Sequence, residues 1–484
     1  MEVKLPQYPE ITTLETLVDA LSNAADINEQ NEIWSKVDNP FVSIQPDGSC
    51  DLIFIYRGNS DTKKVELISS VYDPSMQSFG QFSQIENDIW IMPIKHTPSD
   101  ARISFQYLEN GKKLDTGEYI GNLVSPPFSS YKIDGWGDDD AQYIAEMPRA
   151  RPRQHVEQTS LPGIMESLDR SQRLISAEFN FNESALSSHV PSYQDKSRSY
   201  WIHIPPTDPS YTGPYKLLIH LDGYETIKRM KAPAIMEQAM KERKIKPTIT
   251  VYLNSEDRDI EYGCSREAEL FADFVADEFV SKIRRDYPRA STDPSDVTIA
   301  GFSMGGNGAT HIATRHPEVF GNIISQSGSY WMGSMTSHGF EATEGLQHKL
   351  EDKHYPHNEF AQQQCFYLNV GQLETGVYSQ APSGKQITDV GVTQVDASEH
   401  FAAFLKDRNL SCHFDIYHGD HCFAEWQDKL IDGLVWINQK RMVQYYKDSV
   451  DHEKDKTIID THTPMDDLGG DEEESASHLK TKLK

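Results

Sequence analysis

The sequence predicts a multidomain chain, an N-terminal antiparallel β-sandwich of immunoglobulin-like type followed by an α/β domain on a mostly parallel sheet. Two textures along the chain and its overall composition carry that expectation. From about 30 to 135, short alternating runs (FVSIQ, CDLIFIYRG, KKVELISSV, DIWIMPIK, ARISFQYLE) are separated by turn clusters such as PDGS, GNSD and ENGK. Several short strands at that spacing form a sandwich. From about 176, apolar strands (YWIHIPP, YKLLIHLDG, TITVYLN, DVTIAG, GNIISQSGS, QCFYLNVG, CHFDIYHG) alternate with helical stretches such as REAELFADFVADEFVSKIRRDYP and EHFAAFLKDRN. That alternation belongs to a sheet covered by helices on both faces. At 484 residues the chain exceeds one typical core, and 37% apolar with 10% aromatic residues suits globular domains.

The other segments follow from local pattern. Ile11, Leu14, Leu17, Val18 and Leu21 recur at helical spacing, which predicts a short amphipathic helix within an N-terminal segment 1–29. The sandwich then occupies 30–135. Residues 136–175, with GWGDDD and EMPRARPRQ, are polar and proline-bearing and read as a linker to the α/β domain at 176–449. The stretch 450–484 is charged, aperiodic and poor in aromatics, the composition of a disordered acidic tail.

The formal net charge of −28 weighs against nucleic-acid binding and against adhesion to anionic membranes. Five scattered cysteines (Cys50, Cys264, Cys365, Cys412, Cys422), without a C-x-x-C pair, read as reduced cytosolic thiols, not as disulfides or a metal site. The opening MEVKLPQYPEITTLETLVDA lacks the apolar run of a secretory signal, and no stretch approaches the length of a membrane helix. The expectation is a soluble, cytoplasmic protein.

The chemistry centres on DVTIAGFSMGGNGAT at 296–310. A G-x-S-x-G turn between a buried strand and a helix is the nucleophile elbow of the α/β-hydrolases, although a bare glycine-rich turn containing serine also fits the pattern. Ser303 ends the strand DVTIAG and precedes a helix from about Met304 to His316. Serine needs a base and a group that orients the base, and in this fold the chain order is serine, acid, histidine. The strand QCFYLNVG ends at Gly371, which puts Glu374 at a strand's carboxyl end, where reactive groups collect. Asp389, Asp396 and Asp407 fall on a loop or helix, and Asp420 is too close to the histidine to reach round to its ring. Of the two histidines near the end of CHFDIYHG, His418 still belongs to the strand and reads as structural; His421 lies in the loop beyond. The oxyanion that forms on attack needs amide donors. The amide of Met304 is one, and the loop after YKLLIHLDGYE, with Gly223 and Tyr224, supplies the other.

These residues resemble the enterochelin esterases, enzymes that open the serine trilactone of catecholate siderophores. The resemblance rests on LDG at 221–223, RDIEYGCS at 258–265, GFSMGGNGAT with SQSGSYW at 325–331, and GQLE with GDHCFAEW, and it spans roughly 30 to 445. It implies a Ser303–His421–Glu374 triad and a cytoplasmic role in iron acquisition. It also implies that Arg258 and Glu261, of an R-x-x-E pattern before Cys264, face substrate unless they merely form a salt bridge. Trp426 stands five residues after His421, as in that family, and Tyr330 and Trp331 are placed to stack on catechol rings unless they are core. The resemblance further implies that the sandwich packs beside the active site and helps to form the pocket. The chain departs from the family at Asp420, where glycine usually precedes the histidine.

The reading is a serine esterase needing no cofactor and no metal, whose partner is a small-molecule ester, a ferric catecholate siderophore among the candidates. Alternatives are a feruloyl-type or other acyl ester, acyl transfer to an alcohol, and a binding protein with a vestigial triad. DEEESAS followed by HLKTKLK also resembles translocation signals of secreted bacterial effectors, against the simpler reading of a solubilising tail.

Overall fold

The computed structural model describes residues 11–69, 80–86, 88–113, 119–124, 132–133, 141–151, 161–332, 335–336, 339–340, 345–352, 354–375, 377–378 and 392–460. Two helices open it, Leu14–Asn23 and Ile27–Trp34. Thr13 and Thr16 cap the first reciprocally, and the Asp26 carboxylate caps the second by accepting from the Asn28 and Glu29 amides. The expected amphipathic helix is thus Leu14–Asn23, and Ile27–Trp34 follows it as a second.

Ten strands follow: β1 (Phe41–Ile44), β2 (Cys50–Arg57), β3 (Val65–Ser69), β4 (Gly80–Gln81), β5 (Ser83–Gln84), β6 (Ile89–Thr97), β7 (Arg102–Lys113), β8 (Tyr119–Val124), β9 (Lys132–Ile133) and β10 (Gln142–Glu146). They form two sheets, β1-β2-β6-β5 and β4-β3-β7-β10-β9 with β8 also on β7, and every pairing is antiparallel. The period of two along β2 explains the arrangement. Leu52, Phe54 and Tyr56 point into a core shared with Ile103, Phe105 and Tyr107 of β7, while Ile53 and Ile55 meet the helical pair. The first domain extends further than expected, because β10 lies inside the anticipated linker and pairs with β7.

The chain continues with β11 (Leu174–Asn180), β12 (Ser197–His203), β13 (Lys216–His220), β14 (Thr248–Leu253), β15 (Val297–Phe302), β16 (Asn322–Gln326), a separate ribbon of β17 (Met335–Thr336) and β18 (Gly339–Phe340), then β19 (Cys365–Gly371), a second ribbon of β20 (Val377–Tyr378) and β21 (Val392–Thr393), and β22 (Ser411–Tyr417), and all but the ribbons form a third, eight-stranded sheet. Its order is β11-β12-β14-β13-β15-β16-β19-β22. The six strands from β14 to β22 in that order run parallel, β12 pairs antiparallel with β14 and β11 antiparallel with β12, so the sheet is mixed. Successive residues face opposite helical layers: Ile299, Ile323 and Phe366 pack with the helices Arg266–Asp273, Met304–Arg315 and Gln394–Asp407, and Ala300, Ile324 and Tyr367 pack with Ala232–Lys241 and the residues from Phe423 to Ile437. This is the α/β-hydrolase arrangement, with its parallel strand ends gathered at one edge.

Part of the expected linker is ordered structure, since the helix Leu161–Arg170 lies before β11 and packs on Ala232–Lys241. The chain divides into two units, Met1–Ile437 and Asn438–Lys484. In the second, residues to Asp460 are helical, the end of the helix Phe423–Asp460, so the expected tail does not begin at 450. Its remainder, 461–484, lies outside the described residues. Among those described, no helix is long and apolar enough to cross a membrane.

A buried cluster fastens the antiparallel edge to the helical layer. Arg173, at the start of β11, holds both oxygens of Glu237 at 2.6 and 2.8 Å, and Nε2 of His203 lies 3.2 Å from the same carboxylate. Burial pushes His203 below its ordinary value, and the Glu237 carboxylate only partly offsets that. Burial alone would raise Glu237, but the bonds from His203 and Arg173 outweigh it and hold the carboxyl at about 2, against an ordinary 4.5. The folded value lies below the unfolded one. The stabilisation is therefore complete above about pH 4.5 and fades as the pH falls towards 2. Glu237→Gln should lose on the order of 2–3 kcal/mol at pH 7, measured by urea unfolding. The gap between variant and wild type should narrow at pH 4 and again at pH 3; a gap independent of pH would contradict this account.

Candidate active site

β15 is buried at every residue and ends in a strained turn. Ser303 has φ 57° and ψ −127°, a conformation that costs a non-glycine residue roughly 1–3 kcal/mol. The surroundings enforce it. The Ser303 amide donates to the Gln326 carbonyl at 2.8 Å, and its carbonyl accepts from the Gly306, Asn307 and Ser329 amides at 3.0, 3.3 and 3.0 Å. A side chain at Gly301 would run into the Gly305 carbonyl, so the first glycine of the motif is required by the closeness of the turn. The side chain of Ser303 is half-buried at the strand edge.

Glu374 and His421 meet at the neighbouring strand ends. Nδ1 of His421 is 2.7 Å from Oε2 of Glu374, with 25% of the imidazole and 1% of the carboxylate exposed. The other oxygen, Oε1, accepts from the Gly371 amide at 2.7 Å and from the Ser327 hydroxyl at 2.6 Å. Ser327, at φ 48°, also accepts the Trp426 indole N–H at 3.1 Å. The Trp426 ring stacks on Phe302 at 4.7 Å and meets the His421 ring edge-on at 4.8 Å. One indole thus spans from the residue preceding Ser303 to the imidazole.

The amides of Gly223, Tyr224 and Met304 stand in the first turns of their helices, where no intrahelical acceptor exists. A Cβ on Gly223 would lie 2.5 Å from the Tyr252 carbonyl oxygen, so the loop passes where only glycine fits. Asp222, left-handed at φ 55° and buried, sits beside Gly305 and is held by Arg258 at 2.9 and 3.0 Å. Burial raises the Asp222 carboxyl above its ordinary value and the Arg258 guanidinium pulls it back.

Several expected substrate contacts are corrected by this geometry. Arg258 clasps Asp222 and does not bridge to Glu261. Glu261 is fully buried and accepts both Arg198 guanidinium nitrogens and, at 2.7 Å, the Tyr193 hydroxyl, so it cannot face a ligand. Tyr330 is buried against Phe401 with its hydroxyl donating to Ser325 at 2.7 Å, which makes it core. Trp426 is 2% exposed and walled in by Phe302 and His421. Trp331 is half-buried, its indole donating to Gln394 at 2.7 Å. His418, read as structural, pairs with Asp100 of the first domain, away from Glu374. A cavity of about 430 Å³ opens beside Tyr224, walled by Met165, Trp201 and Ile227 with Lys228 and Lys231.

Residues 179–437, more than half the chain, match the family model described as "Putative esterase". The chain belongs to the esterase family. It is a carboxylic ester hydrolase. The iron(III) salmochelin esterase of Escherichia coli O6:H1 is 25% identical over 397 residues, covering 79% of this chain and 86% of that protein. The iron(III) enterobactin esterase of Dickeya dadantii is 25% identical over 224 residues, 46% and 47% of the two chains. Among solved structures, ferric enterobactin esterase from Salmonella typhimurium superposes with TM-score 0.63 at 18% identity, over 85% of this chain and 99% of that one. The Shigella flexneri enterobactin esterase with enterobactin gives 0.62 at 18%, over 84% and 98%. At such identity these two likenesses establish the fold.

Sequence reasoning missed Ser327 and the cavity of this esterase. Ser327 follows β16 in SQSGS, and a serine just past a strand end in an α/β sheet was the available signal. The cavity walls come from a helix before the sheet, a strand and the short helix Gly223–Lys228 after β13, and no local pattern joins them. The Glu261 correction has a direct test. Glu261→Ala would leave the Arg198 guanidinium buried without its carboxylate, at about 3–5 kcal/mol in denaturant unfolding. The folded variant should keep its KM for ester, whereas a raised KM with unchanged stability would restore a substrate role.

Proposed function

We propose that this esterase hydrolyses the lactone esters of a catecholate siderophore of enterochelin type through Ser303, His421 and Glu374. The observation that carries the triad is the buried Glu374 carboxylate on Nδ1 of His421, one indole ring away from the strained Ser303 turn. Glu374 fixes the tautomer with Nδ1 protonated, which leaves Nε2 free to take the Ser303 proton. Ser303 Oγ attacks the ester carbonyl, and the amides of Met304 and of Gly223 or Tyr224 receive the oxyanion. His421 then protonates the leaving alcohol. A water, activated by the same imidazole, releases the acyl group.

The siderophore assignment rests on the names of the relatives together with the cavity. A ferric catecholate is aromatic and anionic, and a chain of net charge −28 needs local cations to receive it. Lys228 and Lys231 supply them beside Tyr224, with Trp201 and Met165 as apolar wall. We assign residues 41–146 to an immunoglobulin-like sandwich domain and 174–437 to the catalytic domain, in a cytoplasmic enzyme that acts on a small molecule and requires no cofactor.

Ser303→Ala should remove fluorophosphonate labelling and lower p-nitrophenyl acetate hydrolysis by roughly 10³-fold or more, with an unchanged circular dichroism spectrum. His421→Ala should match it while His418→Ala stays within about threefold of wild type. Full activity in either of the first two variants would end the triad reading.

Charge reversal at the cavity addresses the substrate. Lys228→Glu with Lys231→Glu should raise KM for ferric enterobactin by about tenfold or more and leave the neutral p-nitrophenyl ester within about twofold. Equal effects on both esters would detach the cavity from siderophore binding.

A further inference from the structure

The loop that carries His421 is fastened from the other domain. At its start, the Arg102 amide of β7 donates to the His418 carbonyl at 3.3 Å, and Arg102 and Gly419 form a short parallel bridge. One residue before the imidazole, Asp420 is fully buried. Its Oδ2 accepts two donors from a single β7 residue, the Ser104 amide at 2.7 Å and the Ser104 hydroxyl at 2.8 Å. No nitrogen or hydroxyl donor reaches its buried Oδ1, and the Cys422 thiol is the remaining group that bonds the carboxyl. Its backbone carbonyl accepts from the Tyr417 hydroxyl at 3.2 Å and the Cys422 amide at 2.9 Å. Burial pushes the Asp420 carboxyl up to about 6, and the bonds from Cys422 and Ser104 only partly offset that.

A buried acid met only by one serine and a weakly donating thiol is a poor means of stabilising a fold, because removing a carboxylate from water costs more than such bonds return. Its location explains its retention. The same stretch of loop meets the Glu374 turn, where the Gln372 and Leu373 amides donate to the Tyr417 and Gly419 carbonyls at 2.8 and 3.0 Å. Leu373 itself packs against the core between the two N-terminal sheets. Behind this contact, buried Arg102 reaches Glu146 of β10 at 2.7 Å and Glu425 of the following helix at 3.3 Å. Both proposed partners of Ser303 therefore stand on loops that lean on β7.

We infer that Asp420, gripped by Ser104 of the N-terminal domain, is a positioning residue that sets the His421 imidazole against Glu374 and Ser303. The N-terminal domain thereby acts on every ester the enzyme cleaves. It is not confined to recognising bulky substrates at the pocket mouth. The inference rests on His421 being the base, and the two can be separated.

The test uses the full-length esterase and p-nitrophenyl acetate, a substrate too small to span the domains. Asp420→Ala should lower kcat and the fluorophosphonate labelling rate by about 10- to 100-fold with KM within about twofold, because geometry and not binding is lost. Asp420→Asn keeps an oxygen for both Ser104 donors and should stay within about threefold of wild type. Ser104→Ala removes one donor and should cost about three- to tenfold. Combined with Asp420→Ala it should add nothing further, the non-additivity of two groups in one contact. Should Asp420→Ala fail to fold, the Ser104→Ala and Asp420→Asn arms decide. Wild-type kcat in Asp420→Ala or Ser104→Ala would overturn the inference while leaving an inactive His421→Ala, and with it the triad, intact. An Asn variant as slow as Ala, or full additivity, would also overturn it. Activity in His421→Ala would instead remove the triad reading on which it stands.

Discussion

A carboxylate with 1% of its side chain exposed must be met by donors or give up its charge, and the site is organised around that demand at Glu374. One oxygen takes the His421 ring nitrogen; the other takes the Gly371 amide and the Ser327 hydroxyl. Meeting those bonds fixes three chain segments at once: the end of β19, the residue after β16 and the loop after β22. Ser327 adopts a left-handed backbone to present its hydroxyl, while its carbonyl is held by Gln394. Its amide donates to the Asn369 carbonyl at 2.7 Å, so the ends of β16 and β19 are locked together beside the acid.

The same hydroxyl ties the acid to the serine. Ser327 accepts from Trp426, whose ring lies flat on Phe302 and edge-on to His421, and whose carbonyl accepts from Gln326 at 2.8 Å. Gln326 in turn accepts the Ser303 amide. The strain at Ser303 is thus supported by the network that orients the imidazole. An indole only 2% exposed does more here by being immobile than it would by touching a ligand.

What was legible in the sequence is what short range determines. G-F-S-M-G encodes its own turn because Gly301 and Gly305 meet within five residues, and Glu374 and His421 were reachable because each sits just past a recognisable apolar strand. Spacing misled where partners are distant. Arg258 and Glu261 stand three apart, as a pair would, yet Arg258 turns to Asp222, 36 residues away, and Glu261 to Arg198, 63 away. Tyr330 follows a strand end like a ligand-stacking ring, but which face of a sheet an aromatic takes is settled by what fills the other side, here Phe401. The first domain runs past its expected end for a related reason: β10 sits within a polar, proline-bearing stretch and is a strand because β7 pairs with it.

The contact between Ser104 and Asp420 spans 316 residues, and no window of sequence joins them. Read alone, Asp420 is a rival acid to be set aside, and β7 is one more alternating strand in a domain without catalytic candidates. Placed together they change what the N-terminal domain is for. A loop carrying an imidazole at a strand end is open to solvent on one side, as the 25% exposure of His421 shows. Such a loop samples many positions unless its neighbours are pinned. The sheet beneath supplies one wall and the Trp426 ring a second. The remaining side is closed by β7, which converts a surface loop into a buried joint between domains. Covalent continuity makes that joint intramolecular, so the ordering cost is met once, when the chain folds, and not at each turnover.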